Sequence, residues 1–223
     1  MKKGFKKFSA FTFAEVMISL TIIGVIAALT MPNILQDYQN RTFTSGLANS
    51  ISILEKGFEK MMIDDRVSKI ERTRWVRQGS SGELQNNEIF DNYFRVVYGT
   101  EYFSYEKYSP FRGYIEYGEP PEPRYITKYP SIPSGAPKLL NNGSYVWVKK
   151  VSEAVQMSNL ILIVYVDVNG SKGPNMYGYD LQKLGVDVNG RVVPLNLDPE
   201  AEYSLDGAVG AKRIRDDGWR IKY

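Results

Sequence analysis

The sequence predicts an α+β fold in which one long N-terminal helix packs on a C-terminal antiparallel β-sheet of about four strands. Three observations predict it. Phe11 to Pro32 (FTFAEVMISLTIIGVIAALTMP) is apolar over about one bilayer thickness. Leu47, Ile51, Leu54, Phe58 and Met61 then recur at steps of four, three, four and three, which is a helical apolar stripe. Leu160 to Val166 (LILIVYV) is an unbroken β-branched run, the pattern of a buried central strand.

Composition narrows the classes of function. At 223 residues the chain is long enough for one globular domain with appendages, and its formal net charge is +3. Lys2, Lys3, Lys6 and Lys7 supply that excess, and without those four lysines the body is slightly acidic. The basic pI therefore does not argue for a nucleic-acid-binding body, and nucleic acid is disfavoured as a partner. The chain has no cysteine and no histidine. Disulfides and thiolate metal sites are excluded, and the commonest general base is missing. No nucleophile–base constellation stands out, so no enzyme activity is expected.

Three readings compete for the first 32 residues. They are a removed secretory signal with a cut near Ala27-Ala28, a plain single-span anchor, and a leader that ends just before Phe11. The apolar run is long for a signal core, and Glu15 lies where such a core is most apolar. An ionisable group in a bilayer-spanning segment is costly and needs a partner.

The residues Ala10-Phe11-Thr12-Phe13-Ala14-Glu15, followed by Val16-Met17-Ile18-Ser19-Leu20 and Ile22-Ile23-Gly24-Val25-Ile26, decide among them. This stretch resembles the N-terminal signature of type IV prepilins and type II secretion pseudopilins. The resemblance implies a cut between Ala10 and Phe11 by prepilin peptidase, N-methylation of Phe11, and assembly through Glu15 and Pro32. The residue before the cut is usually Gly in that family and is Ala here. Cutting at Gly4-Phe5 instead would put Lys6 and Lys7 into the helix and Ser9 where the glutamate belongs. The family also gives Glu15 its partner, the α-amino group of a neighbouring subunit's Phe11. Such a pair sets register as a buried polar residue does in a coiled coil.

Pro32 removes one backbone hydrogen bond and should bend the helix rather than end it. A helix from Phe11 to about Met62 would be about 78 Å long, apolar in its first half and amphipathic in its second. Its weakest stretch is Arg41-Thr42-Phe43-Thr44-Ser45-Gly46, expected to bend. Arg66, Lys69, Arg72, Arg74 and Arg77 follow, with Trp75 among them. They read as a solvated helix end suited to the C-terminal dipole, with an anion contact as the alternative. Gln78 to Glu83 reads as a loop. Ile89, Phe90, Tyr93, Phe94 and Val97 then predict a short second helix. From Thr100 to Pro137 the chain holds seven tyrosines and seven prolines, an irregular insertion that serves either as a binding surface or as a cover for the sheet.

The sheet is expected from residue 138 onward. Leu139 to Ser144 reads as a tight turn before a strand at Tyr145 to Lys149. Leu160 to Val166 is the central strand, and Asp187-Val188-Asn189-Gly190 turns a further strand back into Arg191 to Leu195. The loop after the central strand, D-V-N-G-S-K-G-P-N, with Gly178-Tyr179-Asp180 beyond it, resembles the C-terminal sheet of some prepilin-like proteins. Some pseudopilins carry calcium there, so Asp167, Asn169, Asn175 and Asp180 are candidate Ca2+ ligands, hard oxygens but not an EF-hand. The alternation of Trp219, Ile221 and Tyr223 predicts a final edge strand, preceded by a solvated Lys212, Arg213 and Arg215.

The organisation implied is a leader at 1–10, a membrane and filament-core half-helix at 11–33, and a pilin-like globular domain at 34–223, periplasmic or extracellular. The lysines before the span place its N-terminus on the cytoplasmic side, and the resemblance implies that the membrane is a bacterial inner membrane. The partners implied are prepilin peptidase, other pilin or pseudopilin subunits, an inner-membrane assembly platform and the lipid bilayer. The alternative is a minor pilin for adhesion, DNA uptake or substrate binding, acting through the Tyr/Pro insertion or the basic cluster.

Overall fold

A computed structural model of the chain describes residues 11–79, 84, 88–97, 115–116, 124–125, 136–151, 159–170, 172–173, 178–197 and 209–221. The leader, most of the Tyr/Pro insertion and the loop at 80–83 lie outside them. The chain divides into two compact units, Met1–Gln39 and Asn40–Tyr223. Helix α1, Phe13–Asp64, has 52 residues and contributes to both.

In the first unit, α1 is apolar on every side, and none of its most hydrophobic window is buried. It is long and apolar enough to cross a membrane. The helix continues through Pro32, whose missing N–H forfeits only the bond to the Ala28 carbonyl. Each hydroxyl further along the segment is tied to the carbonyl four residues back. Ser19 Oγ donates to Glu15 O at 2.7 Å, Thr21 Oγ1 to Met17 O at 2.8 Å and Thr30 Oγ1 to Ile26 O at 2.9 Å.

In the second unit, α1 turns one stripe inward: Phe43, Leu47, Ser50, Leu54, Phe58 and Met61 are all buried. The stretch from Arg41 to Gly46, expected to bend, is helical. Thr44 and Ser45 bond back to Arg41 O and Thr42 O, and Phe43 and Leu47 join the core, so tertiary burial outweighs a poor local propensity. The helix ends in a Schellman motif. Arg66 N–H donates to Ile63 O and Val67 N–H to Met62 O, with Arg66 at φ +55°.

A 3₁₀ turn, Ile70–Arg72, and two short helices, α2 (Arg74–Gln78) and α3 (Glu88–Tyr93), fold back on the stripe. They bring Trp75, Phe90 and Phe94 onto Phe58. Phe90 stacks on Phe94 at 4.2 Å, and Phe94 meets Phe58 edge-on at 5.3 Å. Trp75, buried in this cluster, donates its indole N–H to Leu84 O at 3.0 Å. The second helix is where the sequence places it, although Val97 falls past its end and is exposed.

Five antiparallel strands form the main sheet, where about four were expected. They are β3 (Lys138–Leu139), β4 (Tyr145–Lys150), β5 (Leu160–Asp167), β6 (Leu181–Asp187) and β7 (Val192–Pro194), in that spatial order. β5 is central, as its run of branched residues requires. Register pairs Val146 with Val166, and Val164 with both Val148 and Leu184. This gives one apolar face that joins the α1 stripe in a single core. Two small pairs stand apart from it: β1 (Ile115–Glu116) with β2 (Arg124–Tyr125), and β8 (Asn196–Leu197) with β9 (Val209–Gly210).

Two polar links fasten the helix to the sheet. Ser50 Oγ lies 2.9 Å from Ser144 Oγ and accepts from Asn142 Nδ2, also at 2.9 Å. Glu55 Oε1 accepts from Val192 N–H, an amide of edge strand β7. The β6–β7 turn closes on Asp187 Oδ1, which accepts from Asn189 and Arg191 N–H. Gly190 is needed there for its φ of +76°, and a Cβ would press on Met62 Cε at 2.8 Å.

The expected C-terminal edge strand is not formed. Residues Ala211–Asp216 make a helix, α4, with Ala211 and Ile214 buried. Asp217-Gly218 closes it as a second Schellman motif, with Gly218 at φ +74° and Trp219 N–H on Ile214 O at 2.8 Å. Trp219 itself has φ +59°, which no strand tolerates. Ile221 still reaches the core, but from an irregular tail, and Tyr223 lies outside the described residues. Arg213 and Arg215 are on α4, paired with Asp217 and Asp216.

Candidate functional site

The apolar half of α1 is the site the sequence singles out. Phe11 is exposed, and Ala10 lies outside the described residues. Glu15 is the only ionisable group between Phe11 and Gln36. It sits in the first turn of α1, and its carboxylate is engaged by its own chain. Glu15 Oε2 accepts from Thr12 N–H at 2.7 Å and from Thr12 Oγ1 at 2.8 Å, while Thr12 Oγ1 accepts from Glu15 N–H at 3.3 Å. This is a capping box: a threonine ahead of the first turn and a glutamate three residues on satisfy each other's backbone donors.

Sequence reasoning treated Glu15 as a carboxylate in search of a partner and missed this arrangement. The signal was legible, since Thr12-Phe13-Ala14-Glu15 is the T-x-x-E pattern itself. Both contacts use Oε2, so Oε1 makes no hydrogen bond among the described residues. The site therefore holds a helix start that is already capped, with one carboxylate oxygen open.

The four candidate calcium residues fare differently. Asp167 and Asp180 are buried at the two ends of the β5–β6 loop, closed by Val168 N–H on Asp180 O at 2.9 Å. Asp167 Oδ1 accepts from Asn169 N–H, and the Asn169 amide donates to Gly173 O, which are turn-closing uses. Asn169 Oδ1 is buried without a hydrogen-bond partner, and Asn175 lies outside the described residues. No cluster of three or more metal-binding side chains occurs among the described residues.

The basic stretch also separates into parts. Trp75 is core. Arg74 donates to Asp65 Oδ1 through Nε at 2.6 Å, and its backbone N–H meets Oδ2 at 2.7 Å. That carboxylate raises the guanidinium further above its ordinary pKa and sits at the start of α2, where a negative charge suits the helix dipole. Arg72, Arg77 and Lys150 line a cavity of about 590 Å³ together with Glu71.

A long apolar N-terminal helix carried into an antiparallel sheet is a pilin-like architecture. Set against known protein families, curated proteins and solved structures, the chain matches none.

Proposed function

We propose that the chain is a structural subunit, pilin or pseudopilin, of a type IV pilus or type II secretion filament. It is inserted in the inner membrane, cut by prepilin peptidase between Ala10 and Phe11, methylated on Phe11, and drawn into a filament by an assembly platform. The observation that carries this reading is the exposed apolar half-helix with its one carboxylate. From Phe11 to Leu35, fourteen large apolar side chains are exposed. Each is worth about 1.5–3 kcal/mol on burial, so water cannot be their working surroundings.

Lipid covers such a face as well as a neighbouring helix does, so apolar burial alone does not drive exchange of one for the other. Packing and a polar contact must do so. Glu15 Oε1 is the open acceptor for that contact, and a neighbouring Phe11 amine is the donor this reading assigns. Thr12 retains Oε2, so pairing leaves the cap in place.

The test is mass spectrometry of the membrane-extracted protein from a host that carries a prepilin peptidase. The expected mature N-terminus is Phe11, carrying one methyl group. An intact Met1, or a terminus near Ala27, would remove the proposal.

A further inference from the structure

The two outer strands of the main sheet are treated differently. Beyond β3 the chain itself continues the ladder: Val97 N–H donates to Leu139 O at 2.8 Å and Asn141 N–H to Arg95 O at 2.9 Å. Beyond β7 no strand follows among the described residues. A sheet edge of that kind invites pairing with another chain.

The register shows which groups of β7 face outward. Gly185 is opposite Val193, and in the same register Asp187 N–H donates to Arg191 O and Leu195 N–H to Lys183 O. Arg191, Val193 and Leu195 therefore turn their peptide groups toward β6. In an antiparallel ladder the alternate residues turn theirs away. Those residues are Val192 and Pro194. The Val192 N–H is already taken, because Glu55 Oε1 of α1 accepts it at 3.1 Å. Pro194 has no N–H to give. The outer side of β7 thus offers carbonyls and no free donor.

Without these two devices the edge would be self-complementary. Two copies set antiparallel about a twofold axis at Val193 would bring Val192 N–H of each against the residue-194 carbonyl of the other. An N–H at position 194 would likewise meet the other copy's Val192 carbonyl. Glu55 removes the first half of that pairing and Pro194 the second. We propose that β7 is a latent self-association edge, fitted to a second copy of this chain, which Glu55 and Pro194 together hold shut. This is independent of how the N-terminal helix is processed or assembled.

The chain has no cysteine, so Val193→Cys gives a single reporter at a half-buried position. On the twofold axis the two cysteines would form a non-hydrogen-bonded pair with Cα atoms about 4.5 Å apart, within disulfide reach. Full-length protein in detergent micelles is oxidised gently, with Glu55→Ala, Glu55→Gln and Pro194→Val each placed on the reporter background. The reporter alone should cross-link slowly. Glu55→Ala and Pro194→Val should each speed dimer formation roughly tenfold, and the two together roughly a hundredfold. Glu55→Gln keeps an acceptor for Val192 N–H and should match the reporter alone. A dimer held only through α1 would respond to neither substitution. Melting temperatures show which variants fold, and either Glu55→Ala or Pro194→Val decides the matter if the other does not. The inference is overturned if a folded Glu55→Ala or Pro194→Val variant cross-links no faster than the reporter. Equal acceleration by Glu55→Gln, or rapid cross-linking with Glu55 and Pro194 both in place, overturns it as well.

Discussion

Gly57 lies on the buried stripe of α1, and replacing it with alanine sets two ordinary effects against each other. In a helix interior, alanine is better than glycine by about 1 kcal/mol, so helix propensity alone predicts stabilisation. Packing predicts the reverse. A Cβ at this position overlaps the Phe94 ring, with Cδ1 at 2.7 Å and Cζ at 2.8 Å. Phe94 has no free space to move into, being 1% exposed and wedged between Phe90 and Phe58. Overpacking of this kind costs about 1–3 kcal/mol, and an aromatic ring fixed on two sides places it at the upper end. The net expectation for Gly57→Ala is destabilisation by about 1–2 kcal/mol, with melting lowered by about 2–4 °C per kcal/mol in a domain of this size. Thermal unfolding followed by the fluorescence of buried Trp75 and Trp147 reads it directly. The same change on a Phe94→Leu background should be neutral or stabilising, because the clash is gone. A melting temperature above wild type for the single Gly57→Ala variant would show that the ring does not confine the helix as described.

Other changes probe the remaining links. Ser50→Ala removes the acceptor of Asn142 Nδ2 and one of the two partners of Ser144 Oγ, which keeps Val168 O, and should cost about 1 kcal/mol by urea denaturation. Arg66→Gly relieves a left-handed backbone at the end of α1 and should stabilise by about 1 kcal/mol in the same assay. Thr12→Ala removes the capping box and should fray the start of α1, seen as faster amide exchange at Phe13 and Ala14, while membrane insertion persists. Glu15→Ala should leave insertion unchanged and abolish filament assembly, scored by electron microscopy of sheared cell-surface material. Normal filaments from that variant would refute the assembly role given to Glu15.

The parts of the fold that were legible are those where one periodicity runs uncontested. Leu160 to Val166 could only be a buried strand, and it is the centre of the sheet. The steps between Leu47 and Met61 could only be a helix. Gly57 and Ser50, equally buried on that stripe, were invisible to a pattern that counts only large apolar residues. The C-terminus misled for the opposite reason. Trp219, Ile221 and Tyr223 alternate like a strand, whereas α4 has only six residues and little room to show a period. Asp-Gly is a common turn signal, and at Asp217-Gly218 the same dipeptide serves a helix C-cap. At the candidate site the family-like spacing drew attention to Glu15 and away from Thr12, the residue that holds it.

The hydroxyls of Ser19, Thr21 and Thr30 carry a consequence for reversibility. Each is bonded to its own helix, so on the proposed filament reading none would have to find or release an outside partner if the surroundings of α1 changed from acyl chains to other helices. The transfer then leaves the hydroxyl contribution unchanged in both directions, and the polar asymmetry between the two states is concentrated at the first turn. A subunit shed from an assembly would re-enter a bilayer with every one of these internal bonds intact, ready for another round.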